Sequence, residues 1–243
     1  MDGLLTGSIE SSEVRPSGKS IKIDGRGRIS TVAFLVDGKH VVSGDENGKI
    51  RRWRIEDGMQ VGTSMDAGFW VRSIAVSRDG KWIVCGTLRS VQVWNAESGK
   101  KVSEIGGHNN WVDAVDVSPD STKIASESGD RTACVWSLST GQRLLGPWVH
   151  NSNVLAVKFS PDGRFIATAS RDSIWIYDSQ SGNLVDVPIE FSRCFASSSS
   201  VARLAVDLSE DMPVGRPVVG CACIRGVGGG GRRRKNVVAR LAN

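Results

Sequence analysis

The fold is decided by residues 107–141, which read GHNNWVDAVDVSPDSTKIASESGDRTACVWSLSTG. Short segments rich in Val, Ile and Trp alternate here with Gly, Ser, Pro and Asp, a pattern typical of antiparallel strands separated by tight turns. We predict strands at 111–117, 123–128, 133–137 and 142–145. This stretch therefore predicts one small four-stranded sheet.

The same pattern recurs along the chain with a period of about 41 residues. The aromatic residues Trp53, Trp94, Trp136 and Tyr177 are 41, 42 and 41 residues apart. A glycine follows each of them at a constant offset, and a turn containing aspartate precedes each. A period of this length predicts one supersecondary block per repeat, each stacked on its neighbours. We place the repeats at about 25–66, 67–107, 108–149 and 150–190.

The first strand of every repeat predicts where the core lies. Residues two positions apart share one face of a strand. One apolar column consists of Val32, Ile74, Val115 and Val157, and a second, two residues later, of Phe34, Val76, Val117 and Phe159. Small residues form a column on the opposite face: Thr31, Ser73, Ala114 and Ala156. We expect both apolar columns to be buried and neighbouring sheets to approach closely at the small residues.

These repeats resemble the WD-repeat family. The third repeat carries the resemblance best, with Gly107-His108, Ser118-Pro119-Asp120, Gly129-Asp130 and Val135-Trp136. The resemblance covers residues 19–190 and implies an all-β β-propeller of four-stranded antiparallel blades. We expect four clear blades and an incomplete or open ring, because the pattern fades after residue 190. Residues 204–211, LAVDLSED, resemble 113–120 and indicate a degenerate fifth blade.

The resemblance also implies a structural role for the two repeated histidines. In the family, a histidine, an aspartate, a strand Ser or Thr and the tryptophan form a buried hydrogen-bond network that ties the loop between blades to the sheet. This carries over to His108, Asp130, Trp136 and either Ser126 or Ser128, and in part to His150 and Asp172. We favour this role over a catalytic one because both histidines occupy the same repeat position.

At one end of the first strand, the residue types differ from repeat to repeat. This variation indicates a functional surface at that end. One position holds Arg28, Trp70, Trp111 and Asn153, and another, two residues on, holds Ser30, Arg72, Asp113 and Leu155. In the family, this end opens on the face around the central channel, where partner peptides dock. Trp and Arg often dominate interface energetics. The alternative is that Trp70 and Trp111 only cover blade edges.

The sequence contains none of the common nucleotide-binding, hydrolase or metalloprotease motifs, so we predict no catalytic residues and no cofactor. Cys221 and Cys223 have neither a second cysteine pair nor a nearby histidine, which argues against a metal site. No apolar run is long enough to span a membrane. We therefore predict a non-catalytic scaffold that binds a protein or peptide, as part of a multiprotein complex, in the cytoplasm.

The two ends of the chain differ from the repeats. Residues 1–18 form an N-terminal extension, and residues 191–243 hold the degenerate blade and a Gly/Arg-rich tail that we predict to be disordered. Residues 212–243 carry seven basic residues and no acidic one, although the whole chain has a net charge of only +5. The alternative function is a nuclear or nucleic-acid-associated protein that uses this tail. We expect the chain to be a truncated or mis-assembled form of a longer propeller.

Overall fold

The computed structural model describes residues 27–171, 173–185 and 189–190. The predictions made for the N-terminal extension at 1–18, for Asp172, and for the degenerate blade and basic tail at 191–243 lie outside these described residues.

The described residues form fifteen β-strands, and the architecture is all-β as predicted. The strands are β1 (Ile29–Phe34), β2 (His40–Asp45), β3 (Lys49–Arg54), β4 (Gln60–Asp66), β5 (Ser73–Val76), β6 (Trp82–Gly86), β7 (Leu88–Asn95), β8 (Lys101–Val117), β9 (Lys123–Ser128), β10 (Thr132–Ser137), β11 (Arg143–Val149), β12 (Val154–Phe159), β13 (Phe165–Ser170), β14 (Ser173–Asp178) and β15 (Ile189–Glu190).

The strands form four antiparallel blades. Blade 1 contains β1 to β4, and blade 4 contains β12 to β15. Blades 2 and 3 share the long strand β8, whose first half pairs with β7 and whose second half pairs with β9. Blade 2 therefore consists of β5, β6, β7 and the first half of β8, and blade 3 of the second half of β8 with β9, β10 and β11. The predicted boundary between the second and third repeats lies inside β8.

The strands of blade 3 closely match the prediction. The strand predicted at 123–128 coincides with β9, and the one predicted at 133–137 begins one residue earlier, as β10. The strand predicted at 142–145 is longer than expected, because β11 runs to Val149 and pairs with Thr132 there. Trp148 and Val149 lengthen this outer strand, where they sit opposite Ala133 and Thr132.

The core lies between successive blades. The face that each blade turns toward the following blade is called here its outgoing face, and the face that it turns toward the preceding blade its incoming face. Between blades 1 and 2, Val42 and Ile50 on the outgoing face pack with Ile74 and Trp94 on the incoming face. The same arrangement recurs between blades 2 and 3 and between blades 3 and 4.

The prediction that both apolar columns of the first strand are buried is wrong for blade 1, and in blades 2 and 3 the second column, Val76 and Val117, is only half-buried. Val32 and Phe34 are 61% and 73% exposed, whereas Ile74, Val115 and Val157, at the position of Val32, are between 2% and 8% exposed. The physical reason is that a first-strand apolar residue is covered only by the outgoing face of a preceding blade. Among the described residues, blade 1 has no preceding blade.

Cys85 and Cys134 are free and buried. Within the described ranges, no helix has the length and apolar character needed to cross a membrane.

Candidate functional site

The first strands of the four blades lie side by side. β1 neighbours β5, β5 neighbours β8, and β8 neighbours β12. Side chains at the start of these strands are consequently close to those of the adjacent blade, although about 41 residues separate them in sequence. This arrangement brings together four of the eight residues predicted at the variable end.

Arg72 lies at the centre of this group. Its guanidinium carbon is 4.7 Å from the ring centroid of Trp70 and 5.8 Å from that of Trp111. The two indole rings meet edge to face, with centroids 6.2 Å apart. Arg72 Nε also forms an ion pair with Asp113 Oδ1 at 2.5 Å. We call Trp70, Arg72, Trp111 and Asp113 the arginine cluster.

The arginine cluster spans the boundary between blades 2 and 3, since Trp70 and Arg72 precede β5 and the other two residues belong to β8. All four side chains are partly exposed. Burial raises the pKa of Asp113, although the neighbouring Arg72 charge acts in the opposite direction. A guanidinium held between two aromatic rings is fixed in place by cation–π attraction and by its ion pair. The cluster therefore presents a rigid aromatic and charged surface.

Glu127 adjoins the arginine cluster and was not predicted from the sequence. It lies on β9, it is fully buried, and neither of its carboxylate oxygens has a hydrogen-bond partner among the described residues. Burial raises its pKa well above the usual value, the negative charges of Asp113 and Asp130 raise it further, and Arg72 lowers it. A buried carboxyl without a partner favours the protonated form.

The repeat alignment could have identified Glu127, because the other blades have small residues at its position. Gly44 and Gly86 stand there in blades 1 and 2. A Cβ atom on Gly44 would lie 2.4 Å from Val71 Cγ1, and one on Gly86 would lie 2.6 Å from the Val112 carbonyl oxygen. The third blade thus inserts an acid where its predecessors leave no room for any side chain.

The other four residues predicted at the variable end lie outside the arginine cluster. Ser30 donates its hydroxyl to the carbonyl oxygens of Val71 and Gly44, so it ties blade 1 to blade 2. Arg28 and Asn153 are exposed, and Leu155 is half-buried. The Arg28 backbone amide donates to the Glu46 carboxylate at 3.3 Å.

The histidine of blade 3 lies in a hydrogen-bonded chain of side chains. Trp136 Nε1 donates to Ser126 Oγ at 2.7 Å, and Ser126 Oγ lies 2.7 Å from His108 Nε2. His108 Nδ1 lies 3.2 Å from Asp130 Oδ2. Every donor in this series of hydrogen bonds has an acceptor when the Ser126 hydroxyl donates to His108 Nε2 and the His108 Nδ1 proton points to Asp130. Between the two serines that the sequence left open, the structure selects Ser126, while Ser128 accepts from the Asp130 amide instead.

Burial lowers the pKa of His108, and Asp130 only partly opposes this effect. Asp130 keeps a lowered pKa despite its own burial, because it accepts hydrogen bonds from the Thr132 hydroxyl and from the Asn109 and Thr132 amides. His108 is therefore neutral and Asp130 charged near neutral pH. The sequence reasoning missed Thr132, whose hydroxyl lies 2.6 Å from Asp130 Oδ1.

Blade 4 repeats part of this chain. His150 Nε2 lies 2.8 Å from Thr168 Oγ1, and His150 Nδ1 lies 3.1 Å from the Trp148 carbonyl oxygen. Thr168 was also missed, although it stands at the repeat position of Ser126. Asp172, predicted as the partner of His150, lies outside the described residues.

The buried thiols are unsuited to nucleophilic chemistry at neutral pH. Burial raises the pKa of Cys85 to about 12 and that of Cys134 to about 11, so both remain protonated. Over the part of the chain that the structure describes, no three His, Cys, Asp or Glu side chains converge in a way that could hold a metal ion.

The repeats of this chain match the profile of a known protein family. Four segments match the profile described as WD domain, G-beta repeat, at residues 18–54, 61–95, 99–137 and 144–178. Each matched segment ends at or next to the repeated Trp or Tyr, so the matches follow the period seen in the sequence.

Curated relatives share this pattern over parts of their length. The nuclear distribution protein nudF of Aspergillus niger is 30% identical over 109 residues, which are 43% of this chain and 25% of that protein. The small ribosomal subunit protein RACK1 of Glycine max is 30% identical over 79 residues, 32% of this chain and 24% of that protein. Apoptotic protease-activating factor 1 of Danio rerio is 46% identical over 43 residues, 18% of this chain and 3% of that protein. The matched part of the chain thus spans a quarter or less of these relatives.

Proposed function

The chain belongs to the WD-domain, G-beta repeat family, whose profile matches more than half of its residues, and we propose that it is a non-catalytic scaffold that docks a protein or peptide partner on the arginine cluster. The observation that carries the proposal is the position of Arg72, between the rings of Trp70 and Trp111 and in an ion pair with Asp113.

The composition of the arginine cluster favours binding over simple coverage of blade edges. Trp and Arg are the residue types most often found at energetic hot spots. A rigid anchor loses little conformational freedom on binding, so more of its contact energy appears as affinity. The cluster is already ordered by its own contacts and remains partly exposed. Both properties are expected of a preformed docking surface.

The remaining chemistry of the described residues supports a binding role rather than catalysis. His108 and His150 are buried and hydrogen-bonded to Ser126 and Thr168, respectively. These contacts are those expected of histidines with a structural role. RACK1 of Glycine max is named as a protein of the small ribosomal subunit, that is, as a member of a larger assembly. This relative supports a scaffold in a multiprotein complex.

Peptide selection from a random library on the full 243-residue chain tests the proposal. Selected peptides would be titrated by calorimetry against the wild type, Arg72→Ala and the matched control Arg54→Ala. Arg54 also forms an ion pair, with Asp57, but lies outside the cluster. We expect a loss of affinity of about tenfold or more for Arg72→Ala, in line with the cost of removing a hot-spot residue, and no change for Arg54→Ala. Peptides that bind both variants as well as the wild type would contradict the proposal.

A further inference from the structure

The arginine cluster lies at the edge of the blades where each first strand begins. In an antiparallel sheet, the second strand ends and the third strand begins at that same edge. The turns between second and third strands therefore adjoin the cluster: the Gly129 amide donates to the Trp111 carbonyl oxygen at 3.0 Å, and Leu88 sits opposite Trp111. We call the arginine cluster, residues 27–28 and the turns at 45–49, 87–90, 128–132 and 170–171 together the arginine edge.

Exposed arginines recur along the arginine edge. Three of the four turns carry one, and a further one precedes β1: Arg89, Arg131, Arg171 and Arg28. Within the described part of the chain, none of these four side chains forms an ion pair or a hydrogen bond. Arg89 and Arg131 have φ values of 63° and 68°, a left-handed conformation that favours glycine or asparagine. The geometry of these turns therefore does not explain why arginine stands there.

The opposite edge of the blades differs in charge. Each turn between a first and a second strand carries an exposed aspartate there: Asp37, Asp79, Asp120 and Asp162. Among the described residues of the arginine edge, Glu46 is the one exposed acid. Asp45 and Asp113 at this edge are held in ion pairs with Arg51 and Arg72. The arginine edge is therefore the basic side of the blades.

Arg72 adds unused hydrogen-bond donors to this basic surface. Its Nε faces Asp113, whereas its terminal Nη1 and Nη2 groups form no hydrogen bond within the described residues and are not buried. A guanidinium can donate two parallel hydrogen bonds to one carboxylate. Because Trp70 and Trp111 hold the guanidinium in place, the free side of Arg72 is already oriented for such a contact.

Building on the proposed docking function, on which this inference rests, we propose that the docked partner segment is an acidic peptide. One of its carboxylates binds the Nη groups of Arg72, and further carboxylates lie beside the exposed arginines of the turns. Complementary charge of this kind speeds association and fixes the register of the bound segment.

A nucleic acid is the competing ligand for a basic surface, and the charge distribution favours the peptide. Domains that bind nucleic acids are strongly basic as a whole. Residues 27–185 hold 18 Lys and Arg residues and 17 Asp and Glu residues, so the basic character is confined to one edge. A short acidic segment needs only such a local surface.

The composition of library-selected peptides tests the inference separately from the proposed function. Among random peptides that bind the full chain and lose affinity with Arg72→Ala, we expect enrichment in Asp and Glu. Peptides that depend on Arg72 without this enrichment would overturn the inference and leave the docking function intact. A selection in which no peptide depends on Arg72 would contradict the docking function itself.

Charge-removing variants then test the turns. We expect Arg89→Gln combined with Arg131→Gln to weaken binding of a selected acidic peptide about tenfold at low salt, with an unchanged circular dichroism spectrum, and to weaken it much less at high salt. The matched control combines Arg78→Gln with Arg164→Gln, two exposed arginines of the opposite edge, and should bind like the wild type. The same peptide with Asn and Gln in place of Asp and Glu should bind the wild type and the Arg89/Arg131 variant equally.

Two results of these titrations would overturn the inference. One is equal weakening by the Arg89/Arg131 variant and by its control, which would show that only the net charge of the protein matters. The other is a polythymidine oligonucleotide that binds the wild type more tightly than the peptide and loses this affinity in the Arg89/Arg131 variant, which would assign the arginine edge to nucleic acid.

Discussion

Arg72 Nε and Asp113 Oδ1 lie 2.5 Å apart across the boundary between blades 2 and 3. The pair is partly exposed, and its direct contribution to stability is therefore modest. Its importance is positional, because it holds the guanidinium between Trp70 and Trp111 and beside the buried Glu127. One ion pair thereby links the packing of two blades to the surface proposed for partner binding.

Replacing Glu127 with Gln should stabilise the protein at neutral pH. The folded-state pKa of Glu127 is raised by burial. Its contribution to stability is therefore fully present below the unfolded pKa of about 4.3 and is lost as the pH rises toward the folded pKa. Glutamine does not titrate, so the free energy of unfolding of E127Q should exceed that of the wild type by about 1 kcal/mol or more at pH 7 and by much less at pH 4. Urea unfolding at the two pH values measures this; an equal difference at both would contradict it.

We expect the contribution of His108 to stability to depend on pH in the opposite direction. Burial lowers its folded-state pKa below 6.5, so its stabilising contribution is present above that pH and is lost as the pH falls through the folded value. His108→Gln should cost about 1–3 kcal/mol at pH 8, because Ser126 and Asp130 lose a partner. The difference between variant and wild type should shrink between pH 6.5 and 5. Chemical unfolding at several pH values gives both numbers, and a difference that grows on acidification would show that His108 is charged in the folded protein.

The indole hydrogen bonds of Trp136 and Trp94 should contribute differently to the free energy of unfolding. Trp136 Nε1 donates to Ser126, whereas blade 2 has the weakly accepting Cys85 thiol at the position of Ser126. Trp94 Nε1 is buried and faces this thiol instead of a hydroxyl. Both rings are buried to the same degree. We expect Trp136→Phe to lower the free energy of unfolding by about 1 kcal/mol more than Trp94→Phe does. Equal losses in calorimetric unfolding would mean that the network adds nothing beyond packing.

The turn between the first two strands of blade 1 requires a left-handed backbone conformation at Gly38. Its φ is 63°, a left-handed conformation, and a Cβ atom would meet nothing within 4 Å. Gly38→Ala should therefore cost about 1 kcal/mol through backbone strain alone. Gly106 is the matched control, since it also has open space around it but no positive φ. Gly106→Ala should leave the stability unchanged or slightly higher in thermal unfolding. A loss of equal size at both positions would point to a cause other than backbone strain.

The period of the sequence predicted most of the fold. Trp53, Trp94, Trp136 and Tyr177 set the register. Turn residues bound β9 and β10, which lie within one residue of the prediction, whereas β8 continues from blade 2 without the predicted break. The same reasoning failed for Val32 and Phe34, since burial of a first strand depends on a neighbouring blade and not on the strand itself.

The candidate site was only partly visible in the sequence. Disagreement between repeats pointed to Trp70, Arg72, Trp111 and Asp113, but their contact depends on how blades 2 and 3 are placed side by side. Glu127 breaks the hydrophobic pattern of its strand, and only a position-by-position comparison with Gly44 and Gly86 of the other repeats marks it as unusual. Thr132 and Thr168 were missed although the family resemblance allows either a strand Ser or a strand Thr, and Thr168 stands at the repeat position of Ser126.

The most direct test of the proposed docking surface is to locate a bound partner peptide. A selected peptide carrying a photoreactive diazirine would be cross-linked to the full chain, and the modified residues identified by mass spectrometry. Cross-links concentrated at residues 70–72 and 111–113, and lost when unlabelled peptide competes, are the predicted result. Cross-links on the outer strands β4 and β11, with none at the arginine cluster, would contradict the account.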